Sequence, residues 1–412
     1  MMILLMVESQ SRFEGRLAIG PYHVLYRKDG CTMHTLVING SPKGKHSVTL
    51  QTVHYLQLLF PEHHFEVLHV GQTIKTLEKD LSPARKAMEQ ADLLLFCYPV
   101  YTFLAPCQLH RFIELLKASG VSLEGKYATQ LTTSKHFYDT TAHRYIRDNC
   151  QDLGLRYING LSADMDDLTK AKGQKEAQDF FRYVCWSMEQ NIREPALTLP
   201  YSFRPQPVTV PVCTGDKAGD VVIVADLQEG DGQLSDMIDR FRAVFPRKTR
   251  VVNIRLYPFR GGCLGCFHCA VSGKCVYTDG FDDYLRNQIQ SAQAIVYAFT
   301  VSDHSMGARF KMYDDRQFCN GHRTVTIGMP IGYLISGGYR HEQNLQTVIE
   351  ARAQVGSNFL AGIATDEEDP DLAIDQLSAT LEYALNTRYL PPQNFYGIGG
   401  MKVFRDLIWL MQ

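Results

Sequence analysis

The chain has 412 residues, 45% of them hydrophobic and 21% charged, with a formal net charge of −2. That length exceeds one ordinary domain and leaves room for two cores, and the absence of a long basic run argues against a nucleic-acid partner reached by electrostatics. Eleven cysteines, with a tight group between Cys263 and Cys275, suit reduced thiols and a metal site better than a secreted disulfide framework.

The apolar opening Met1–Val7 lacks the basic flank and the exit site of a signal peptide. No stretch approaches the roughly eighteen apolar residues that a spanning helix needs. The expectation is a cytoplasmic protein without a membrane partner.

Residues 1–32 read as an N-terminal extension, with a short hairpin about Gly20-Pro21. Regular alternation then begins. A strand over Thr35–Asn39 runs into Gly40-Ser-Pro, and helical spacing follows at Leu50, Val53, Leu56 and Leu59. Further strands are expected at Phe65–Val70, Asp92–Tyr98, Tyr127–Thr132 and, weakly, Arg156–Leu161. Helices are expected at Pro83–Ala91, Ala105–Ala118, Thr141–Leu153 and Gln174–Gln190. Strand and helix in turn, with strands apolar on both faces, predict a doubly wound parallel sheet over residues 33–194.

Residues 195–211 carry Pro195, Pro200, Pro205, Pro207 and Pro211 and read as a stiff linker. The pattern restarts over residues 212–390. Strands are expected at Asp220–Ala225, Thr249–Leu256, Ala294–Phe299, Arg323–Met329 and Phe359–Ala364. Helices are expected at Gln233–Val244, Phe281–Gln290, Gly307–Phe318, Asn344–Val355 and Asp371–Leu385. Ala91–Tyr101 aligns without a gap on Ala292–Ser302, and the register carries on to Gln108–Phe112 against Arg309–Tyr313, which suggests duplication. Residues 391–412 read as a tail.

Two stretches carry chemistry. In Gly40–Leu50 a strand, a loop and a helix start present free backbone N–H groups and the positive end of a helix dipole, an anion site before any side chain acts. The loop adds hydroxyls (Ser41, Ser47, Thr49), cations (Lys43, Lys45) and glycines (Gly40, Gly44). In Cys263–Cys275 the spacing C-x2-C-x2-C-x5-C places Cys263, Cys266, Cys269 and Cys275 to wrap a small object, which suits a [4Fe–4S] cluster, with zinc or unligated thiols as the alternative. His268 reads as filler, and Cys31, Cys97, Cys107, Cys150, Cys185, Cys213 and Cys319 as small hydrophobes.

The first stretch, with Tyr98-Pro-Val-Tyr101, resembles the flavodoxin-like NAD(P)H-dependent FMN reductases over roughly residues 33–190. The resemblance implies that Ser41, Lys43, His46, Ser47 and Thr49 hold the FMN phosphate. It implies that Tyr98, Pro99, Val100, Tyr101, Thr102 and Phe103 line the flavin, with Thr132, Thr133 and Ser134 making a third contact. The cysteine stretch and Tyr277–Asp283 resemble the iron–sulfur flavoproteins, in which flavin and cluster meet across a subunit contact. The expected fold is therefore α/β, two tandem flavodoxin-like doubly wound parallel-sheet domains.

Each half lacks what the other has. The second half's first loop carries Asp226, Glu229 and Asp231, which should repel a phosphate. The first half has no cysteine between Phe65 and Ala91. One flavin site and one cysteine site could then meet inside the chain. Arg309, Lys311 and Asp315-Arg316 would either face that shared site or form a solvated helix face.

The expected activity is FMN-dependent NAD(P)H oxidoreduction, with electrons leaving to a small-molecule acceptor or an iron–sulfur cluster and no residue singled out as catalytic. The alternatives are an electron-transfer or redox-sensing flavoprotein, or a quinone or azo reductase with structural cysteines. A homodimer is left open.

Overall fold

The computed structural model describes residues 32–136, 138–196, 202–212, 217–321 and 325–410. The hairpin about Gly20-Pro21, Cys31 and Cys213 lie outside them. By its internal contacts, Met33–Gln412 forms one compact unit.

The first half alternates as its apolar runs dictate. Strand β1 (His34–Asn39) leads to helix α1 (Val48–Leu59), β2 (His64–Leu68), α2 (Val70–Leu77) and α3 (Ser82–Gln90). There follow β3 (Leu93–Pro99), α4 (Cys107–Ala118), β4 (Tyr127–Ser134), α5 (Asp139–Asp152), β5 (Arg156–Tyr157), β6 (Leu161–Asp164) and α6 (Ala171–Glu189). The strands are parallel in the order β2-β1-β3-β4-β5. β6 takes over beside the C-terminal part of β4, so the fifth strand is interrupted rather than continuous from Arg156 to Leu161.

The second half repeats the plan. It comprises β7 (Val221–Ala225), α7 (Gly232–Val244), β8 (Thr249–Asn253), the short α8 (His268–Ser272) and α9 (Phe281–Tyr284), then β9 (Ala294–Thr300) and α10 (Gly307–Arg316). β10 (Pro330–Ser336), α11 (Gln343–Val355), β11 (Phe359–Thr365), α12 (Pro370–Thr387) and α13 (Phe395–Leu410) complete it. The order β11-β10-β9-β7-β8 is, strand for strand, that of the first sheet. Both sheets are doubly wound and parallel, the flavodoxin-like arrangement expected of the sequence.

The expected strand at Arg323–Met329 is displaced. Residues 325–328 form a turn, with Gly328 left-handed, and the strand starts at Pro330. Pro330 and Gly332 read as breakers, yet a proline at a strand's first residue costs no ladder bond. Gly332 is needed there, because a Cβ would come within 2.7 Å of Leu377 on α12.

The proline-rich stretch is not a free spacer. Residues 202–212 have no regular structure but lie along the second half, where Gln206 N–H donates to Asp366 O at 2.8 Å and Arg240 Nη1 donates to Thr209 O at 2.5 Å.

The halves share one core. Phe112, Tyr145 and Ile146 of the first belong to the same buried cluster as Phe310, Tyr313 and Val348 of the second. The outer face of each sheet has its own cluster, about Phe181 and Val184 in the first half and about Phe241 and Leu381 in the second. Burying each such side chain contributes roughly 2 kcal/mol, so fusing the inner faces adds materially to a stability of order 10 kcal/mol. Among the described residues no helix is long and apolar enough to cross a membrane.

Candidate flavin and cysteine sites

The loop expected to hold the phosphate follows β1. Asn39 organises it: Nδ2 donates to Gly44 O at 2.9 Å, and Oδ1 accepts from Ser41 N–H at 3.1 Å. Gly44 is left-handed (φ 53°), and a Cβ there would collide with Gln72. Ser47 sits at the N-terminus of α1, 1% exposed, and its Oγ is buried with no hydrogen-bond partner among the described residues. Such an orphan hydroxyl costs about 1–3 kcal/mol unless a ligand satisfies it. Ser41 and Thr49 are also buried, and Thr49 Oγ1 meets Thr133 Oγ1 at 2.6 Å, tying this loop to the end of β4. Lys43, Lys45 and His46 are exposed on the rim.

The loop after β3 is a tight turn. Tyr101 and Leu104 exchange backbone hydrogen bonds of 2.8 and 3.0 Å around Thr102 (φ 44°) and Phe103 (φ 72°). Two consecutive non-glycine residues in the left-handed region cost on the order of 1 kcal/mol or more each, so the surroundings must hold them. Val100 N–H donates to Thr133 O at 3.2 Å, and Thr141 Oγ1 donates to Phe103 O at 2.6 Å. Pro99 and Val100 are half-buried.

Tyr98 departs from the expectation that it lines the flavin. It is fully buried in the core, its hydroxyl donating toward Gln130 Oε1 at 2.5 Å and Ala142 O at 3.1 Å. Odd and even positions of β3 face opposite sides of the sheet, and Tyr98 falls on the side filled by α5.

At the end of β4, Thr132, in register with Tyr98 and like it fully buried, turns to α5 rather than to a flavin, its Oγ1 meeting His143 Nε2 at 2.8 Å, and Ser134 Oγ accepts from His136 N–H at 2.8 Å. Burial pushes His143 down to about 4, so it is neutral at physiological pH. Burial alone would raise Asp139, but hydrogen bonds from Ser162 and His136 outweigh it and hold the carboxyl below its usual range. Tyr138 packs on Phe103 with ring centroids 4.4 Å apart, and its hydroxyl donates to Tyr396 O at 2.6 Å, so α13 joins the rim of these loops. Asn39, Tyr138, His143 and Tyr396 were not foreseen. Asn39 at a strand end and His143 one helical turn after Asp139 were the signals available.

In the second half the corresponding loop is filled by the protein itself. Asp231 Oδ1 accepts from Leu234 N–H at 3.3 Å, and Asp231 Oδ2 accepts from Thr300 Oγ1 at 2.8 Å, so a carboxylate occupies the helix N-terminus. Asp226 is buried and paired with Arg255 at 2.6 Å; burial pushes it up to about 6. Glu229 is exposed.

The cysteine loop docks on the first half. A Cβ at Gly262 would collide with Cys107 Sγ, and one at Gly265 with the Tyr101 hydroxyl. Gln108 Nε2 donates to Cys263 O at 3.4 Å, and Lys75 Nζ donates to Arg260 O at 2.6 Å. Cys263, Cys266, Cys269 and Cys275 line one cavity together with Cys319, Phe267, Phe318 and Arg316. Burial pushes the Cys263 thiol up to about 12 and also raises Cys269.

Soft thiols around one cavity are the right donor class for iron–sulfur or zinc. Among the described residues, however, no three His, Cys, Asp or Glu side chains converge closely enough to hold a metal ion. Cys97, Cys107 and Cys150 are buried, as small hydrophobes would be, and Cys185 is half-buried.

Arg309, Lys311, Asp315 and Arg316 do not form a solvated face. Lys311, Asp315 and Arg316 are at most 1% exposed, and Arg309 donates to the carbonyls of Ile254, Arg255 and Tyr257. Arg316 pairs with Asp279 at 2.8 Å and lies over the rings of Tyr277 and Phe281.

Residues 33–163 match the family of NADPH-dependent FMN reductases, which bears out the resemblance over that stretch. The chain is also 26% identical over 136 residues to an iron–sulfur flavoprotein of Archaeoglobus fulgidus, covering 31% of this chain and 61% of that protein. The chain thus spans less than two thirds of that relative. Among solved structures it is similar to an NAD(P)H:quinone oxidoreductase of Methanothermobacter marburgensis (13% identity, 39% of this chain and 98% of the other, TM-score 0.30). It is similar too to an FMN-dependent NADH-azoreductase of Bacillus anthracis (13% identity, 37% and 100%, TM-score 0.31).

Proposed function

We propose that the chain is an FMN-dependent NAD(P)H oxidoreductase with one flavin site, built on the first sheet. The observation that carries this reading is the buried, unpartnered Ser47 hydroxyl at the start of α1, beside the Thr49–Thr133 pair, within the stretch that matches the FMN reductases. When bound, FMN supplies the hydride chemistry, accepting two electrons from a nicotinamide and returning them to an acceptor. The protein's part is binding and orientation. Ser41, Ser47, Thr49 and the backbone N–H groups of the first turn of α1 bind the phosphate, and Lys43 and Lys45 add charge at the rim. Pro99 to Phe103, Thr133 and Ser134 border the ring and exclude water from one side.

The acceptor in this reading is a small molecule or a cluster held by Cys263, Cys266, Cys269 and Cys275. The docking of the cysteine loop on Tyr101 and Cys107 supports the second possibility. A second reading, a quinone or azo reductase with structural cysteines, is favoured by the failure of any three thiols to converge among the described residues. Iron and sulfide analysis of protein purified without oxygen separates the two. About four irons and four sulfides per chain support the cluster, and their absence leaves the structural cysteines.

A further inference from the structure

The turn Tyr101–Leu104 belongs to the first half, but the groups that grip it from behind belong to α10 of the second. Lys311 Nζ, wholly buried, donates to Tyr101 O at 3.0 Å and to Thr102 Oγ1 at 2.8 Å. The Thr102 hydroxyl then donates to one of two carboxylates, Asp314 Oδ2 or Asp315 Oδ1, each 3.0 Å away. Asp315 is paired with Lys311 and also accepts the Cys107 N–H at 2.8 Å, just past the turn. Arg352 of α11 pairs with Asp314 and closes the network.

We propose that Lys311 is a positioning residue for the flavin-lining turn, so that the second half completes the flavin site of the first. This rests on the reading that the Tyr101–Phe103 turn borders FMN. If Lys311 served only to balance charge, Asp314 and Asp315 of its own helix would satisfy it. Its remaining donors go to the Tyr101 carbonyl and the hydroxyl of left-handed Thr102, the two residues that lead into left-handed Phe103. The duplication supplies an internal control. At the corresponding turn of the second half, Asp303 (φ 51°) and His304 (φ 61°), the gripping cation is Lys117 of α4, paired with Asp303 at 3.1 Å. Lys117, 23% exposed where Lys311 is fully buried, thus also joins the halves but touches no residue placed at the flavin.

Lys311→Met and Lys117→Met are compared in the full chain by FMN titration and by visible circular dichroism at saturating FMN. Lys311→Met should weaken FMN binding by about tenfold or more and change the bound flavin's dichroism, as expected for losing charge-assisted bonds to the turn. Lys117→Met should leave both unchanged. Thr102→Val, which keeps the branched shape without the hydroxyl, should act in the same direction as Lys311→Met and serves if that variant does not fold. Equal weakening by Lys311→Met and Lys117→Met, or normal FMN binding in Lys311→Met or Thr102→Val, overturns the proposal. An unmodified chain that binds no FMN overturns the proposed function as well, which neither of those results does.

Discussion

Glu114 and Asp315 exchange roles across the two halves. Glu114 Oε1 accepts the Ala308 N–H at 2.7 Å at the start of α10, and Asp315 Oδ2 accepts the Cys107 N–H at 2.8 Å at the start of α4. The offset that relates Glu114 to Asp315 also relates Cys107 to Ala308 and Tyr101 to Ser302. Ser302 and Ser305 exchange backbone bonds of 2.9 Å each, as Tyr101 and Leu104 do in their own turn. Each helix start is capped by the carboxylate of its counterpart, as a symmetric dimer would do with two chains.

Removing one of these caps should therefore weaken the joint rather than a single helix. Glu114→Ala is expected to cost about 1–2 kcal/mol, the range for losing a helix cap. Urea unfolding checks this; no loss of stability would mean the carboxylate contributes nothing there.

The same joint should respond to alkaline pH. His304 lies between Asp152 of the first half and Glu342, at 3.0 Å from each. Burial alone would lower its pKa, but the two carboxylates outweigh burial and raise it to about 10. A folded-state value above the unfolded one makes its stabilisation complete below about 6.5 and lost as pH rises through about 10. His304→Gln should be less stable than the unmodified chain at pH 6, and the gap should close by pH 10.5; a gap that widens with pH would contradict the assignment.

Arg316 and Asp279 form a pair with both side chains at most 3% exposed. Breaking such a pair strands the other charge, at roughly 3–5 kcal/mol. Arg316→Met should lower the thermal midpoint far more than Arg242→Met, whose half-exposed pair with Asp239 is worth little. Equal effects would mean the burial of Arg316 is not felt.

At the loop proposed to hold the FMN phosphate, Lys43→Glu should abolish FMN retention, since it places a negative charge at the rim of that proposed site. Ser47→Val, which replaces the orphan hydroxyl by methyl groups, should weaken FMN binding while stabilising the flavin-free protein. Normal retention in both would remove the phosphate from this loop.

Much of this was legible in the sequence, because apolar runs and turn residues report directly on strand, loop and helix. The Gly40-Ser-Pro turn, the repeat of Ala91–Tyr101 in Ala292–Ser302 and the order of elements all follow from that local physics. What was not legible depends on long-range contact. Gly332 looks like a breaker until Leu377 is known to lie against it. Tyr98 looks like a ligand-facing aromatic until α5 supplies Ala142 O for its hydroxyl. Lys311, Asp315 and Arg316 look like a solvated face because charges usually are solvated; their burial rests on distant partners, Tyr101 and Thr102 for Lys311, the Cys107 N–H for Asp315 and Asp279 for Arg316.

The most direct test is the flavin content of the full chain after saturation with FMN and removal of the excess. A single site on the first sheet, with Asp231 filling its counterpart on the second, predicts one FMN per chain in the unmodified protein and none in Lys43→Glu. Two per chain, or one that survives Lys43→Glu, would contradict it.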